Sequence, residues 1–193
     1  MTNEFDYYVL ERDSSNTYPL IMCDEDSEHT EEYLYDYEDE KIPEPEVMEF
    51  TFSEPYFSKP VIGDYFSQPD SVISEKIKEV LAPMNILGIQ LIPATVTSNK
   101  GDIYEDYYYV HIYNNIEAMD KENSKYDKGE RSYFIDKFKL DENHLKDIPL
   151  KERLIFKLAE DLTMMLYHKS VVDAIMAVNP TGLKFTKVEN WHI

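Results

Sequence analysis

Two stretches of this chain, 94 residues apart, carry one pattern. Shifting residues 72–92 by that distance lays them on 166–186 without a gap. Ile77, Val80, Leu81 and Met84 fall on Val171, Ala174, Ile175 and Val178; Asn85 and Gly88 fall on Asn179 and Gly182. Ile89 and Leu91 then match Leu183 and Phe185. Ile73, Ile77, Val80, Leu81 and Met84 recur at the spacing of one helix face, with Asp70, Ser71 and Ser74 available as N-caps. Glycine at the exit supplies the left-handed backbone that helix C-termini commonly use. Each unit is therefore expected to be a helix, an Asn-x-x-Gly exit and an outgoing strand. An internal duplication and two independent units with the same grammar both account for the match.

The remaining segments add strands. Phe5–Leu10 is a β-prone run, and Tyr18–Cys23 is a second apolar patch. Residues 41–69 hold five prolines and predict an extended, turn-rich wrap rather than a helix. Ile89–Val96 reads as a buried strand, and Tyr107–Tyr113, beyond the loop Ser98–Asp102, as another. Residues 114–130 read as polar connection, 131–140 as a strand and 141–148 as a turn or short helix. Leu150–Leu158 reads as a strand or edge, followed by strand 162–167, helix 170–178 and strand 183–188. The last three predict a parallel pair joined by a right-handed crossover. The expected fold class is α+β: a mixed sheet with two helix–turn–strand units and an acidic, extended N-terminal region. A single domain over 1–193 is expected, with an acidic, Pro/Tyr-rich portion at 1–60 and a scaffold at 61–193.

Charge divides the chain along the same boundary. Residues 1–60 contain 18 of the 39 acids but only Arg12, Lys41 and Lys59 among the 19 bases, which places −15 of the net −20 there. Nothing about folding requires such an excess, since it repels itself in the compact state. Apolar residues make up 42% and aromatics 13%, too many for a disordered acidic chain. Acidity disfavours nucleic acid and anionic membrane as direct partners, since both repel carboxylates. No signal-like start and no run of roughly 18 apolar residues is visible, so a soluble, cytoplasmic protein is expected.

Signals of enzymatic chemistry are poor. The histidines at 29, 111, 144, 168 and 192 lack metal-ligand or triad spacing, and there is no phosphate-binding glycine loop or nucleophile elbow. Cys23 lies beside Asp24 and Glu25, where like charge disfavours a thiolate; it reads as a small core residue. A calcium loop starting at Asp24 fails, with His29 at the glycine position and Tyr35 at the closing glutamate. No catalytic, cofactor-binding or metal residues are assigned.

That leaves the tract from Asp24 to Glu40, where ten of seventeen residues are acidic. Tyr33, Tyr35 and Tyr37 alternate within it, predicting three rings on one strand face. The candidate partner-binding residues are Asp24, Glu25, Asp26, Glu28, Glu31, Glu32, Tyr33, Tyr35, Asp36, Tyr37, Glu38, Asp39 and Glu40. Tyrosine gives rigid contact area, and carboxylates steer a basic partner. The competing reading is a solvated face that resists aggregation.

Four stretches resemble a known family: Lys59-Pro-Val-Ile-Gly-Asp-Tyr-Phe leading into Val72–Leu81, Gly88-Ile-Gln-Leu-Ile-Pro, Tyr107–Asp120 and Thr181–Val188. Their order is similar to that of the bacterial polymorphic-toxin immunity proteins of the "immunity protein eleven" type, once listed only as a domain of unknown function. The resemblance runs from about residue 59 to 188 and leaves the acidic tract outside the shared motifs. It implies an antitoxin that binds a cognate protein toxin stoichiometrically, without catalytic residues or cofactor. On charge grounds the natural toxin is basic, a nuclease being the obvious kind. Two alternatives stay open: an acidic DNA mimic that inhibits nucleic-acid-binding proteins, and a small-ligand protein or enzyme with an unrecognised site.

Overall fold

The structure, a computed structural model, describes residues 4–129 and 133–192. One sheet has six strands, β2 (Leu20–Cys23), β3 (Met48–Ser53), β4 (Tyr65–Phe66), β5 (Val72–Ser74), β6 (Ile89–Thr97) and β7 (Ile103–Ile112), in the order β2-β3-β6-β7-β5-β4. A second has five, β1 (Tyr7–Arg12), β8 (Asn115–Ile116), β11 (Ile155–Leu158), β12 (Asp161–His168) and β13 (Leu183–Lys187), in the order β13-β1-β12-β11-β8. A separate hairpin joins β9 (Lys125–Lys128) and β10 (Tyr133–Lys137). The α-helices are α1 (Glu28–Tyr35), α2 (Glu75–Leu81), α3 (Glu142–Lys146) and α4 (Lys169–Met176). Parallel pairs occur in both sheets (β3 with β6, β8 with β11) among antiparallel ones, so the class is α+β with mixed sheets.

Alternation along the strands sets the layering. Tyr107 and Tyr109 of β7 face one core while Val110 and Ile112 enter another. On β12, Met165 and Tyr167 face the core that Val110 and Ile112 enter, and Met164 and Leu166 face away from it. That shared core lies between the sheets and contains Ile77 and Leu81 of α2 with Val171, Val172 and Ile175 of α4. Each fully buried aliphatic side chain there is worth about 1.5–3 kcal/mol. The outer face of the six-stranded sheet is covered by Tyr33 and Ile42, and that of the five-stranded sheet by Phe138, Leu145 and Trp191.

The two matching sequence units adopt one backbone. Asn85 and Asn179 both sit at φ 49°, and Gly88 and Gly182 follow at φ 77° and 85°. Helix α2 carries on as a 3-10 turn over Ala82–Met84. The topology matches too. Strands β5 and β6 are each antiparallel to β7, which lies between them; β12 and β13 are each antiparallel to β1. The expected pair at the C-terminal unit is therefore corrected: its strands point the same way, but β1 separates them and they share no ladder. Short-range patterning could not reveal this, because β1 comes from the other end of the chain.

Four further elements differ from expectation. Ile73, expected on the helix face, lies in β5, and α2 begins only at Glu75, beyond Asp70 and Ser71. The extended wrap contains β3, whose Met48, Phe50 and Phe52 alternate inward. The polar connection contains β8 and β9. Leu150–Leu158 begins as a 3-10 turn, and only Ile155–Leu158 is strand. Residue 130 of the connection and residues 131–132 of the strand expected over 131–140 lie outside the described residues.

The stretches that carry the family resemblance meet at the junctions between sheets. Asp64, ahead of β4, donates its N–H to the Thr181 carbonyl (2.9 Å), while its carboxylate accepts from the Thr181 N–H (2.8 Å) and hydroxyl (2.9 Å). Ser74 Oγ (2.8 Å) and Lys76 Nζ (2.7 Å) complete the shell. Burial alone would raise the Asp64 pKa; the contacts from Lys76, Ser74 and Thr181 outweigh it and hold the carboxyl below its usual value. Lys157 of β11 reaches across to Asp70 (2.9 Å), which also accepts from the Tyr109 hydroxyl (3.4 Å).

Candidate interaction surface

The tract from Asp24 to Glu40 is a helix flanked by turns, which corrects the strand expected from its tyrosines. Thr30, Tyr33, Leu34 and Tyr37 recur at helical spacing and turn inward. Tyr33 and Tyr37, one turn apart, meet edge to face at 6.1 Å. Tyr35 points the other way and is 64% exposed. Alternation of three tyrosines suggested period two; the small and aliphatic residues between them set a period nearer 3.6. Glu28, Glu31, Glu32, Tyr35 and Asp36 form the outward stripe of α1 and line a shallow depression.

Uncharged groups attach this segment to the sheet. On the entry side, Thr30 Oγ1 accepts from the Glu49 N–H (2.9 Å) and from or to Ser27 Oγ (2.8 Å). His29 Nε2 donates to the Val47 carbonyl (2.8 Å), and Tyr33 Oη accepts from the Glu46 N–H (3.3 Å). On the exit side, Gln90 of β6 grips Ile42 at both its N–H (2.8 Å) and its carbonyl (2.9 Å), as a neighbouring strand would. His111 of β7 donates to the Glu40 carbonyl at 2.8 Å. Asn115 of β8 donates to the Glu38 carbonyl (3.3 Å) and the Asp39 carboxylate.

Apart from Asp39, held by Asn115, and Asp24, which accepts from the Asp26 N–H (3.1 Å), the carboxylates are left for solvent. Glu25, Asp26, Glu28, Glu31, Glu32, Asp36, Glu38, Asp39 and Glu40 are exposed and Asp24 is half-buried. Among the described residues none of the ten makes an ion pair, and neither does Lys41 beside them. Of the thirteen candidate residues, Tyr33 is in the core and Tyr37 is half-buried, so both support the surface rather than form it. Cys23 is half-buried, and burial, then Glu31, pushes its thiol pKa up, which opposes thiolate chemistry.

Gln90, His111 and Asn115 escaped sequence reasoning as anchors. Each is a polar residue in or at the end of a strand, and nothing local says which distant carbonyl it meets. His111 is 2% exposed between the rings of Tyr109 (6.0 Å) and Tyr113 (5.5 Å). Burial, reinforced by Lys157, lowers its pKa against the opposing pull of the Glu40 carbonyl.

Two mixed sheets around a shared helical core, with a firmly attached and unneutralised anionic face, define a protein distinguished by the surface it presents. A family model described as an immunity protein family (Imm11) matches residues 7–190, and the chain belongs to that family. The match begins at β1 and spans the acidic tract as well as the stretches that carried the resemblance. No curated protein matches the chain. Among the described residues, no helix is long and apolar enough to cross a membrane.

Proposed function

We propose that this immunity protein neutralises a cognate toxin by stoichiometric binding in the cytoplasm, with the 24–40 face docking a basic toxin surface and occluding it. Family membership supports the antitoxin role. The docking face rests on one observation: the ten carboxylates take no ion pair in their own chain, while uncharged side chains hold the backbone beneath them. Holding the segment in place lowers the ordering cost of binding. Unspent carboxylates raise the association rate with a positive partner. A nuclease whose phosphate-binding cleft is cationic fits this complementarity. About 800 Å² per partner, a standard interface, corresponds to roughly 20–30 residues, a size that the tract and its neighbouring loops can supply.

The test is association kinetics with the toxin encoded beside this protein. Replacing Glu31, Glu32, Asp36, Glu38 and Asp39 with their amides should slow association by about tenfold or more at low salt and flatten its salt dependence. Unchanged kinetics and unchanged protection would remove the tract from the interface.

A further inference from the structure

On the other side of the molecule, a pocket of about 250 Å³ opens between the start of β1, the segment after β10 and the end of β13. Its floor is apolar: the half-buried Phe5 and Leu140, backed by the buried Tyr7, Phe138 and Val188. Its rim is not. Lys187 is neutralised by Asp6 (2.9 Å) and Glu189 (3.3 Å). Lys137 and Lys139 are exposed and make no ion pair among the described residues; Asp120 feels the charge of Lys139 at longer range, and of the acids lining the pocket Glu142 alone has no cation. In a chain of net charge −20, two such lysines beside one apolar opening are a local reversal of sign.

We propose that this pocket binds a small amphipathic anion, an acyl or aryl carboxylate whose apolar body sits on Phe5 and Leu140, over the buried Phe138 and Val188, and whose head group meets Lys137 and Lys139. A dry cavity of about 150 Å³ takes a benzene ring, so this one accommodates a body of about ten carbons. Burying that body supplies the affinity, in proportion to the apolar surface removed from water. The lysines supply the choice of sign. This site is independent of the toxin-docking face and stands or falls without it.

The chain carries its own reporter. Trp191, its single tryptophan, packs edge to face on Phe138 at 5.8 Å, and Phe138 backs the floor. Titrating the full-length protein with decanoate below its micellar range should give a saturable change in tryptophan emission. Decanol should bind more weakly, and decylammonium more weakly still. Lys137→Gln with Lys139→Gln should weaken decanoate about tenfold while leaving decanol unchanged; Glu142→Gln should tighten decanoate severalfold. All three substitutions are at exposed positions, and an unchanged melting temperature verifies that each variant folds. No saturable signal would overturn the proposal. So would equal binding of all three amphiphiles, or decanoate binding indifferent to the lysines, because either would reduce the pocket to a non-selective apolar dent.

Discussion

His111 and Asp64 are both polar residues inside packed structure, and each ties together segments far apart in sequence. His111 donates to the Glu40 carbonyl from a site where burial and Lys157 favour the neutral ring. Because its folded pKa lies below the unfolded 6.5, the unfolded chain binds the proton more readily. Its contribution to stability is therefore complete above pH 6.5 and is lost as pH falls through the lower folded value. Urea unfolding between about pH 5 and 7 should show that slope, and His111→Gln, which keeps a donor but does not titrate, should flatten it. Asp64 works in the same direction at lower pH. Its stabilisation is present above the unfolded carboxyl value of 3.8 and disappears below it. Asp64→Asn should cost about 1–3 kcal/mol at neutral pH, since it weakens the charge-assisted Thr181 and Ser74 contacts while the part-exposed Lys76 returns to solvent. A change under about 0.5 kcal/mol would show that the junction does not depend on the charge.

Among elements, the helix–Asn-x-x-Gly–strand unit is the part of the fold most legible in sequence. Its information is local: one helix face, one left-handed residue and one glycine decide the geometry, and all lie within about twenty residues. The left-handed positions predict unequal sensitivity. Gly88→Ala combines φ 77° with a Cβ only 2.3 Å from Asn114 Cβ, so thermal melts should show a loss of about 2 kcal/mol or more. Asn85→Gly keeps a backbone that glycine adopts freely, and should change stability by no more than about 0.5 kcal/mol. Helix α1 resembles a strand in sequence when its three tyrosines are taken without Thr30 and Leu34, the residues that set its period. The exposed acids of the site could be named from sequence because charge requires no partner to be visible. Its anchors could not, because Gln90, His111 and Asn115 meet partners 48, 71 and 76–77 residues away. Strand β8 was missed for a related reason: two residues carry no periodicity, and only β11 defines them.

At the scale of the whole molecule, the order β4-β5-α2-β6-β7 recurs as β11-β12-α4-β13-β1. The one difference is that the final strand of the second series stands at the front of the chain. Lys187 pairs with Tyr8 where β13 ends and β1 begins, so the two strands meet as a hairpin would, without the connecting loop. A permuted chain that joins residue 193 to residue 4 through a short flexible linker and opens between the exposed Ser15 and Asn16 should keep both sheets. We expect a loss of about 1–2 kcal/mol, which lowers the melting temperature by roughly 2–8 °C at this size. Failure to fold would mean that β1 must precede the rest of the chain. Removing β1 altogether should instead unravel the five-stranded sheet, because β12 and β13 both depend on it.

The position of β1 also governs when the protein comes into being on the ribosome. Its hydroxyl-bearing neighbour Thr186, bonded to Glu11, is synthesised 175 residues later. At about 5–20 residues per second that delay is roughly 9–35 s. The six-stranded sheet and its acidic helix are complete by residue 112 and can close first. For most of that interval β1 has neither neighbour, since β12 is complete only at residue 168 and β13 at 187, and its apolar faces wait for strands not yet made. A message cut short before β13 therefore yields a chain with an unfilled sheet, an open invitation to proteolysis.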